Sequence, residues 1–241
     1  IQEGILVSKR NGRRSFYALS AEGQQNFQAA TKRIYAMEQP IWDGRWTLLL
    51  LTELSKDEKT DLSKTLRSDG FRMLGANLLG SPTKAPSILQ SRLRSLHYSK
   101  GIIHLDAMMA GAIDAPSLEN LIATAWELQE LRNDYETFLE LFNPVMDAIS
   151  KTREIKNQDA FFLRTFLIHE FRKVILRDPS LPQDLLPTNW PGNKAKQLAA
   201  RLYQRVLARS EIYIYENLTN ESGPLPKPKS SFFARFGGLE I

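Results

Sequence analysis

Hydrophobic positions along this chain of 241 residues change their spacing repeatedly, and each change marks a new element. Residues 3–20 read EGILVSKRNGRRSFYALS, two short β-type runs on either side of Asn11-Gly12. That dipeptide is the favoured two-residue type I′ turn, so a β-hairpin is predicted. From Ser20, placed as an N-cap, the spacing becomes helical: Phe27, Ala30, Ile34 and Met37 fall at i, i+3, i+7 and i+10. Pro40 ends this helix and opens a linker.

Residues 42–110 carry a β-α-β-β-α-β rhythm. Trp46–Leu54 is a nearly continuous apolar run, as expected of a central strand covered on at least one face. Ser55 with Glu58 forms a capping box for a helix that carries Leu62 and Leu66 and stops at Gly70. Two short strands follow, Phe71–Leu74 and Ala76–Leu79, then a helix over Pro86–Leu96 and a last strand over Gly101–Met109. The order predicts a ferredoxin-like split βαβ domain.

The remainder reads as helices. Residues 116–151 form two, or one broken at Asn143-Pro144. Asn157–Arg177 is apolar on almost every side at 100° per residue, so it is predicted to be buried, and His169, Glu170 and Arg172 on it to need partners. A loop rich in proline, Asp178 to Trp190, leads to a long amphipathic helix, Pro191–Glu216, with a stripe of Ala195, Leu198, Ala199, Leu202, Val206 and Leu207. The last stretch, with Pro224, Pro226, Pro228, Gly237 and Gly238, is expected to be extended or mobile. The fold class is therefore α+β: a hairpin wing with its helix, a ferredoxin-like centre and an all-helical C-terminal part. The segments are 1–39, 40–112, 113–219 and 220–241.

Composition narrows the chemistry. There is no cysteine, which excludes disulfides, thiolate metal sites and a cysteine nucleophile. No apolar run approaches the ~20 residues of a membrane helix. The net charge of +5 and a pI near 9.4 suit an anionic partner. The first residue is Ile rather than Met, so a preceding segment is expected.

The cations concentrate first at the hairpin tip: Lys9, Arg10, Arg13 and Arg14. Four cations there repel each other unless an anion is near, as on a wing laid against DNA phosphates or in a minor groove. A solvated charged turn gives the same pattern. His97 and His104 lack metal-ligand spacing and are read as ordinary fold residues. Gly237-Gly238 does not follow a strand and is no nucleotide loop. No pairing of nucleophile and base stands out.

The order of segments and several motifs resemble the PaaX-type bacterial transcriptional repressors of phenylacetic acid catabolism. GILVSKRNGRRSFYALSAEG at 4–23 is similar to the second half of that family's N-terminal winged helix. WDGRW at 42–46 and DGFRMLG at 69–75 resemble its central domain. HEFRKVILRDPSLPQDLLPTNWPG at 169–192 closely follows its C-terminal motif.

The resemblance implies a cytoplasmic, homodimeric repressor with no cofactor and no membrane contact. Its winged helix binds operator DNA. Its central domain is similar to that of a small CRISPR-associated nuclease. Its helical part takes an aryl-CoA thioester, phenylacetyl-CoA or a relative, which releases the operator. The recognition helix of such a domain would precede residue 1. The nuclease relatives carry Asp at the end of the first strand, where this chain has Thr52 and Glu53, which argues against nuclease chemistry. A nuclease-like or acyl-CoA-handling enzyme is the alternative reading.

On this reading Lys9, Arg10, Arg13 and Arg14 contact DNA. His169, Arg172, Lys173, Arg177, Trp190 and Tyr203 contact the effector, Arg172, Lys173 and Arg177 facing its phosphates. Phe162, Phe166, Trp190 and Tyr203 supply walls for the acyl end. The competing reading makes His169, Glu170 and Arg172 packing devices, a buried glutamate meeting an arginine of a neighbouring helix.

Overall fold

A computed structural model of the chain describes residues 5–11, 14–38, 41–83, 89–96, 100–111, 115–220 and 223–240. In chain order its elements are β1 (Leu6–Asn11), β2 (Arg14–Leu19), α1 (Ala21–Tyr35), β3 (Arg45–Leu51), α2 (Lys56–Leu66), β4 (Arg72–Gly75), β5 (Leu78–Ser81) and α3 (Leu89–Ser95). There follow β6 (Ile102–Met108), α4 (Ala115–Ala125), α5 (Leu128–Lys151), α6 (Asn157–Ile175), α7 (Pro191–Asn217), β7 (Thr219–Asn220), β8 (Gly223–Pro224) and α8 (Ser230–Phe233). The fold is mixed α+β. It sorts into two compact units. One joins Ile1–Met37, Asp134–Arg177 and Pro191–Ile241; the other joins Glu38–Asn133 and Asp178–Trp190. Among the described residues no helix is long and apolar enough to cross a membrane.

The second unit holds the sheet. Its strands run β4-β5-β3-β6, each neighbouring pair antiparallel. The capping box forms as read: the Ser55 hydroxyl accepts from the Glu58 amide, and Glu58 accepts from the Ser55 amide at 2.8 Å. A 3-10 turn, Arg67–Asp69, extends α2 to Gly70, whose φ of 85° makes the left-handed cap that glycine adopts without strain. Leu49, Leu51, Leu62, Leu66, Phe71, Leu79, Leu89 and Leu93 form the core. The DGFRMLG motif is built into this packing. Phe71 is fully buried. Asp69 accepts from Arg92 at 2.5 Å, and buried Arg72 donates to the carbonyls of Arg67 and Phe71 at 2.9 and 2.8 Å. Burial, with Arg67 close by, lowers the Arg72 guanidinium to about 10. The helix break expected at Asn143-Pro144 lies instead at Trp126-Glu127, where Glu127 takes a φ of 53° and its carboxylate pairs with Arg67. Pro144 sits inside α5. Leu131, Tyr135, Phe138, Phe142 and Ile149 anchor that helix on one side. Pro144 and Glu140, whose carbonyl loses its helical partner, are exposed and open to water.

The first unit packs α6 along α7. The stripe predicted on α7 is buried throughout. α6 departs from its reading. Ala160, Leu167, Phe171, Val174 and Ile175 are buried, but Phe162 and Phe166 are 54% and 47% exposed. His169 and Arg172 are exposed as well. The helix shows one face to its neighbours and another to solvent, so its polar residues are not forced to pair.

The hairpin forms. Its register runs from Leu6 opposite Leu19 to Asn11 opposite Arg14, so Asn11 belongs to the strand pairing; Gly12 of the predicted turn lies, with Arg13, outside the described residues. Ser20 caps α1, its hydroxyl accepting from the Gly23 amide at 3.0 Å, and its own amide donates to the Ile5 carbonyl at 2.9 Å. Gly23 permits this junction: a Cβ there would stand 2.2 Å from the Ile5 carbonyl oxygen. Of the α1 stripe, Ile34 is buried and Phe27 is 58% exposed.

Part of the C-terminal stretch takes helical structure where an extended or mobile tail is expected. After β7 and β8 it forms α8 and a 3-10 turn, Arg235–Gly237. Phe236 is buried there, its ring 5.1 Å from that of Tyr35, 5.4 Å from Tyr203 and 6.5 Å from Phe171. One aromatic ring with partners on three helices outweighs the looseness that proline and glycine suggest.

Candidate functional site

α6 presents Arg164, Ile168 and Arg172 at i, i+4 and i+8, one helical face, with Thr165 and His169 beside them. Opposite stand Tyr35 at the end of α1, Tyr203 of α7 and Arg235 of the C-terminal turn. Together they line a cavity of about 310 Å³ within the first unit.

Its charges are unevenly paired. Arg164 donates to Glu211 at 2.5 Å, and both side chains are largely buried. Its guanidinium also lies 5.5 Å from the Tyr203 ring centroid. Arg235 has no carboxylate partner among the described residues. It donates to the Tyr203 hydroxyl at 2.9 Å and lies 4.3 and 4.5 Å from the rings of Tyr35 and Phe232. Arg172 also has no carboxylate partner among the described residues. The Tyr35 phenol is pushed up to about 12, first by burial and then by Tyr203 beside it. The cavity thus offers two guanidinium groups with no carboxylate partner among the described residues, two phenols and an imidazole. Such a lining suits a phosphorylated ligand with an aromatic or apolar part.

The six effector candidates fall in three places. His169, Arg172 and Tyr203 share this cavity. Lys173 and Arg177 line another on the same unit, between α5 and α6, where Lys173 pairs with Glu170 at 2.7 Å and Arg177 with Asp134 at 2.6 Å. Trp190 belongs to the second unit, buried beneath the Arg132 guanidinium 5.4 Å from its centroid, beside a cavity of about 410 Å³. Glu170, expected to meet an arginine across helices, is half-buried and pairs on its own helix. Tyr35, Arg164 and Arg235 are additions. Arg164 was readable from its shared face with Arg172. Arg235 carried no signal, because a folded tail brings it in.

Lys9, Arg10 and Arg14 lie on the hairpin strands, where the register sets Lys9 opposite Phe16 and Arg10 opposite Ser15. Their side chains, with Arg13 and His97, lie outside the described residues. His104 sits on β6, 3.6 Å from Asp106.

Comparison with known proteins extends the picture. The family described as PaaX-like protein C-terminal domain matches residues 126–216. The transcriptional repressor PaaX of Escherichia coli (strain K12) is 37% identical over 241 residues, all of this chain and 76% of its own. Among solved structures, the uncharacterized protein Rv0674 from Mycobacterium tuberculosis aligns with a TM-score of 0.51 at 20% identity, over 86% of this chain and 79% of that one, which speaks to the fold alone. An identity of 37% that leaves no part of the chain uncovered marks common descent, and the chain belongs to the PaaX family of transcriptional repressors, regulators rather than enzymes.

Proposed function

We propose that the chain is an operator-binding repressor of an aromatic-acid catabolic operon, of phenylacetate type, and that an aryl-CoA thioester such as phenylacetyl-CoA releases it from DNA. It works in the cytoplasm as a homodimer. Residues 1–39 are the DNA-contacting part, with Lys9, Arg10, Arg13 and Arg14 on phosphates and the minor groove. An antiparallel hairpin followed by a capped helix supports a winged-helix reading of this part. Residues 40–112 are the central ferredoxin-like domain. The strand order β4-β5-β3-β6 from a βαββαβ chain supports that reading. Residues 113–219 are the effector and dimerisation part, and residues 220–241 are a tail rich in proline and glycine, of which Arg235 lines the cavity.

One observation carries the effector half of this reading: the cavity in which Arg172 and Arg235, with no carboxylate partner among the described residues, stand beside Tyr35, His169 and Tyr203. The anionic end of a CoA thioester supplies the missing counter-charge, and an aryl group suits the aromatic side. Lys173, Arg177 and Trp190 do not line this cavity, and the reading gives them supporting roles.

The test is a mobility shift of operator DNA by the full-length protein, with and without a panel of aryl-CoA thioesters. Release by one thioester, with free aryl acids inert, is the expected result. Operator binding that no thioester alters overturns the effector half. Absence of operator binding overturns the whole.

A further inference from the structure

The cavity and the hairpin are joined by a continuous series of contacts inside one unit. Arg235 lines the cavity and lies over the ring of Tyr35, the last residue of α1. Phe236 holds the same ring from the side, 5.1 Å away and nearly perpendicular. At the other end of α1, Ser20 and Gly23 lock onto Ile5 at the foot of the hairpin. Whatever positions Tyr35 therefore positions α1 and the wing it carries.

The C-terminal turn is closed by its own backbone hydrogen bonds and held to the helices by side chains, Arg235 and Phe236 on Tyr35 and Tyr203 and Glu240 on Gln204. The Gly238 amide donates to the Arg235 carbonyl at 3.0 Å, and the Leu239 amide to Phe233 at 2.8 Å. The Glu240 amide donates to the Gln204 side chain at 3.3 Å. Phe236 itself takes a φ of 53°, a left-handed conformation that a phenylalanine adopts only when its surroundings impose it. A short terminal segment with strain and one buried ring is placed to dock and undock while α6 and α7 stay folded.

We infer that residues 230–240 are a ligand-operated latch: an anionic ligand in the cavity binds Arg235 together with Arg172, fixes the segment on Tyr35, and so sets the wing-bearing helix in its DNA-releasing position. The inference rests on the effector reading above. A ligand that needs Arg235 binds only the docked state. At a hundred times its Kd it multiplies the ratio of docked to undocked about a hundredfold. Operator binding draws on the undocked state, in which α1 is still tied to α6, Arg33 donating to the Ile175 carbonyl at 3.3 Å, but no longer to the C-terminal turn.

Hydrogen exchange of the C-terminal peptide tests this, on the full-length protein with coenzyme A and with an aryl-CoA thioester that releases operator. Ligand slows exchange at Gly238, Leu239 and Glu240 by about tenfold or more in the wild type. R235Q keeps a donor for the Tyr203 hydroxyl and loses the charge. It should bind ligand about tenfold more weakly, the effect of one charge-assisted hydrogen bond. It should also hold operator in the presence of thioester, and R235K should recover part of the response. If a thioester releases DNA yet leaves exchange unchanged, or R235Q is released like the wild type, the latch is wrong and the effector reading stands. If coenzyme A alone slows exchange and releases operator in the wild type and not in R235Q, while an aryl group on the thioester adds nothing, the latch stands and the aryl-thioester reading fails; if coenzyme A slows exchange and nothing releases DNA, the coupling of the segment to the wing is wrong.

Discussion

Replacing Phe236 by alanine removes the one buried side chain of the C-terminal turn. Burying a phenylalanine is worth about 1.5–3 kcal/mol. Each well-placed aromatic pair adds about 0.5–1.5 kcal/mol, and Phe236 packs with Tyr35, Tyr203 and Phe171. A core truncation of this size costs about 3–5 kcal/mol. Alanine keeps the unfavourable positive φ at this position, so no strain is relieved. Because the segment is terminal, the loss is met by undocking of residues 230–240 rather than by unfolding of α6 and α7. Exchange at the Gly238 and Leu239 amides should rise towards that of free peptide. Core amides of α6 and α7 should keep their protection, and the melting temperature should fall by only a few degrees. Equal loss of protection across α6 and α7 would show that Phe236 belongs to the cooperative core. Unchanged protection at Gly238 and Leu239 would show that it does not hold the segment. Either result refutes the reasoning.

Three further outcomes are expected. G23A sets a methyl group against the Ile5 carbonyl; operator affinity should drop while the melting temperature of α6 and α7 holds, read by DNA anisotropy and by circular dichroism. Reversing Arg13 and Arg14 to glutamate should weaken operator binding and reduce its salt dependence, since each lost phosphate contact takes about 0.9 from the slope of log K against log salt; an unchanged slope removes the wing from the interface. The Tyr35 phenol, raised to about 12 by burial and by Tyr203, ionises near about 10 when unfolded. Its contribution to stability is full below pH 10 and is lost as pH rises through 12, so urea melts should show a decline in that window that Y35F flattens.

Legibility in the sequence followed the range of the forces. The Ser55–Glu58 box, the Ser20 cap and the α7 stripe depend on neighbours a few residues apart, and their patterns named them. Pro144 misled, because burial of Tyr135, Phe138, Phe142 and Ile149 carries a helix past a proline that local preference would stop at. The α6 apolar pattern misled in the other direction: Phe162 and Phe166 are exposed, since apolar residues on a surface cost little individually. The C-terminal stretch was legible only as proline and glycine, while its fold depends on Phe236 and Arg235 meeting Tyr35 and Tyr203, distant in the chain. For the site, the helical face of Arg172 was available, with Arg164 two turns before it. The neighbouring Lys173 and Arg177 point to another cavity, a difference fixed by helical phase.

The most direct test of the central claim is a calorimetric titration of phenylacetyl-CoA into the wild-type protein and into R172A. The wild type should bind, and R172A, exposed at this position and so unaltered in melting temperature, should bind about tenfold more weakly or worse while retaining its affinity for operator. Equal affinity of the two proteins for the thioester would contradict the assignment of the arginine-lined cavity as the effector site.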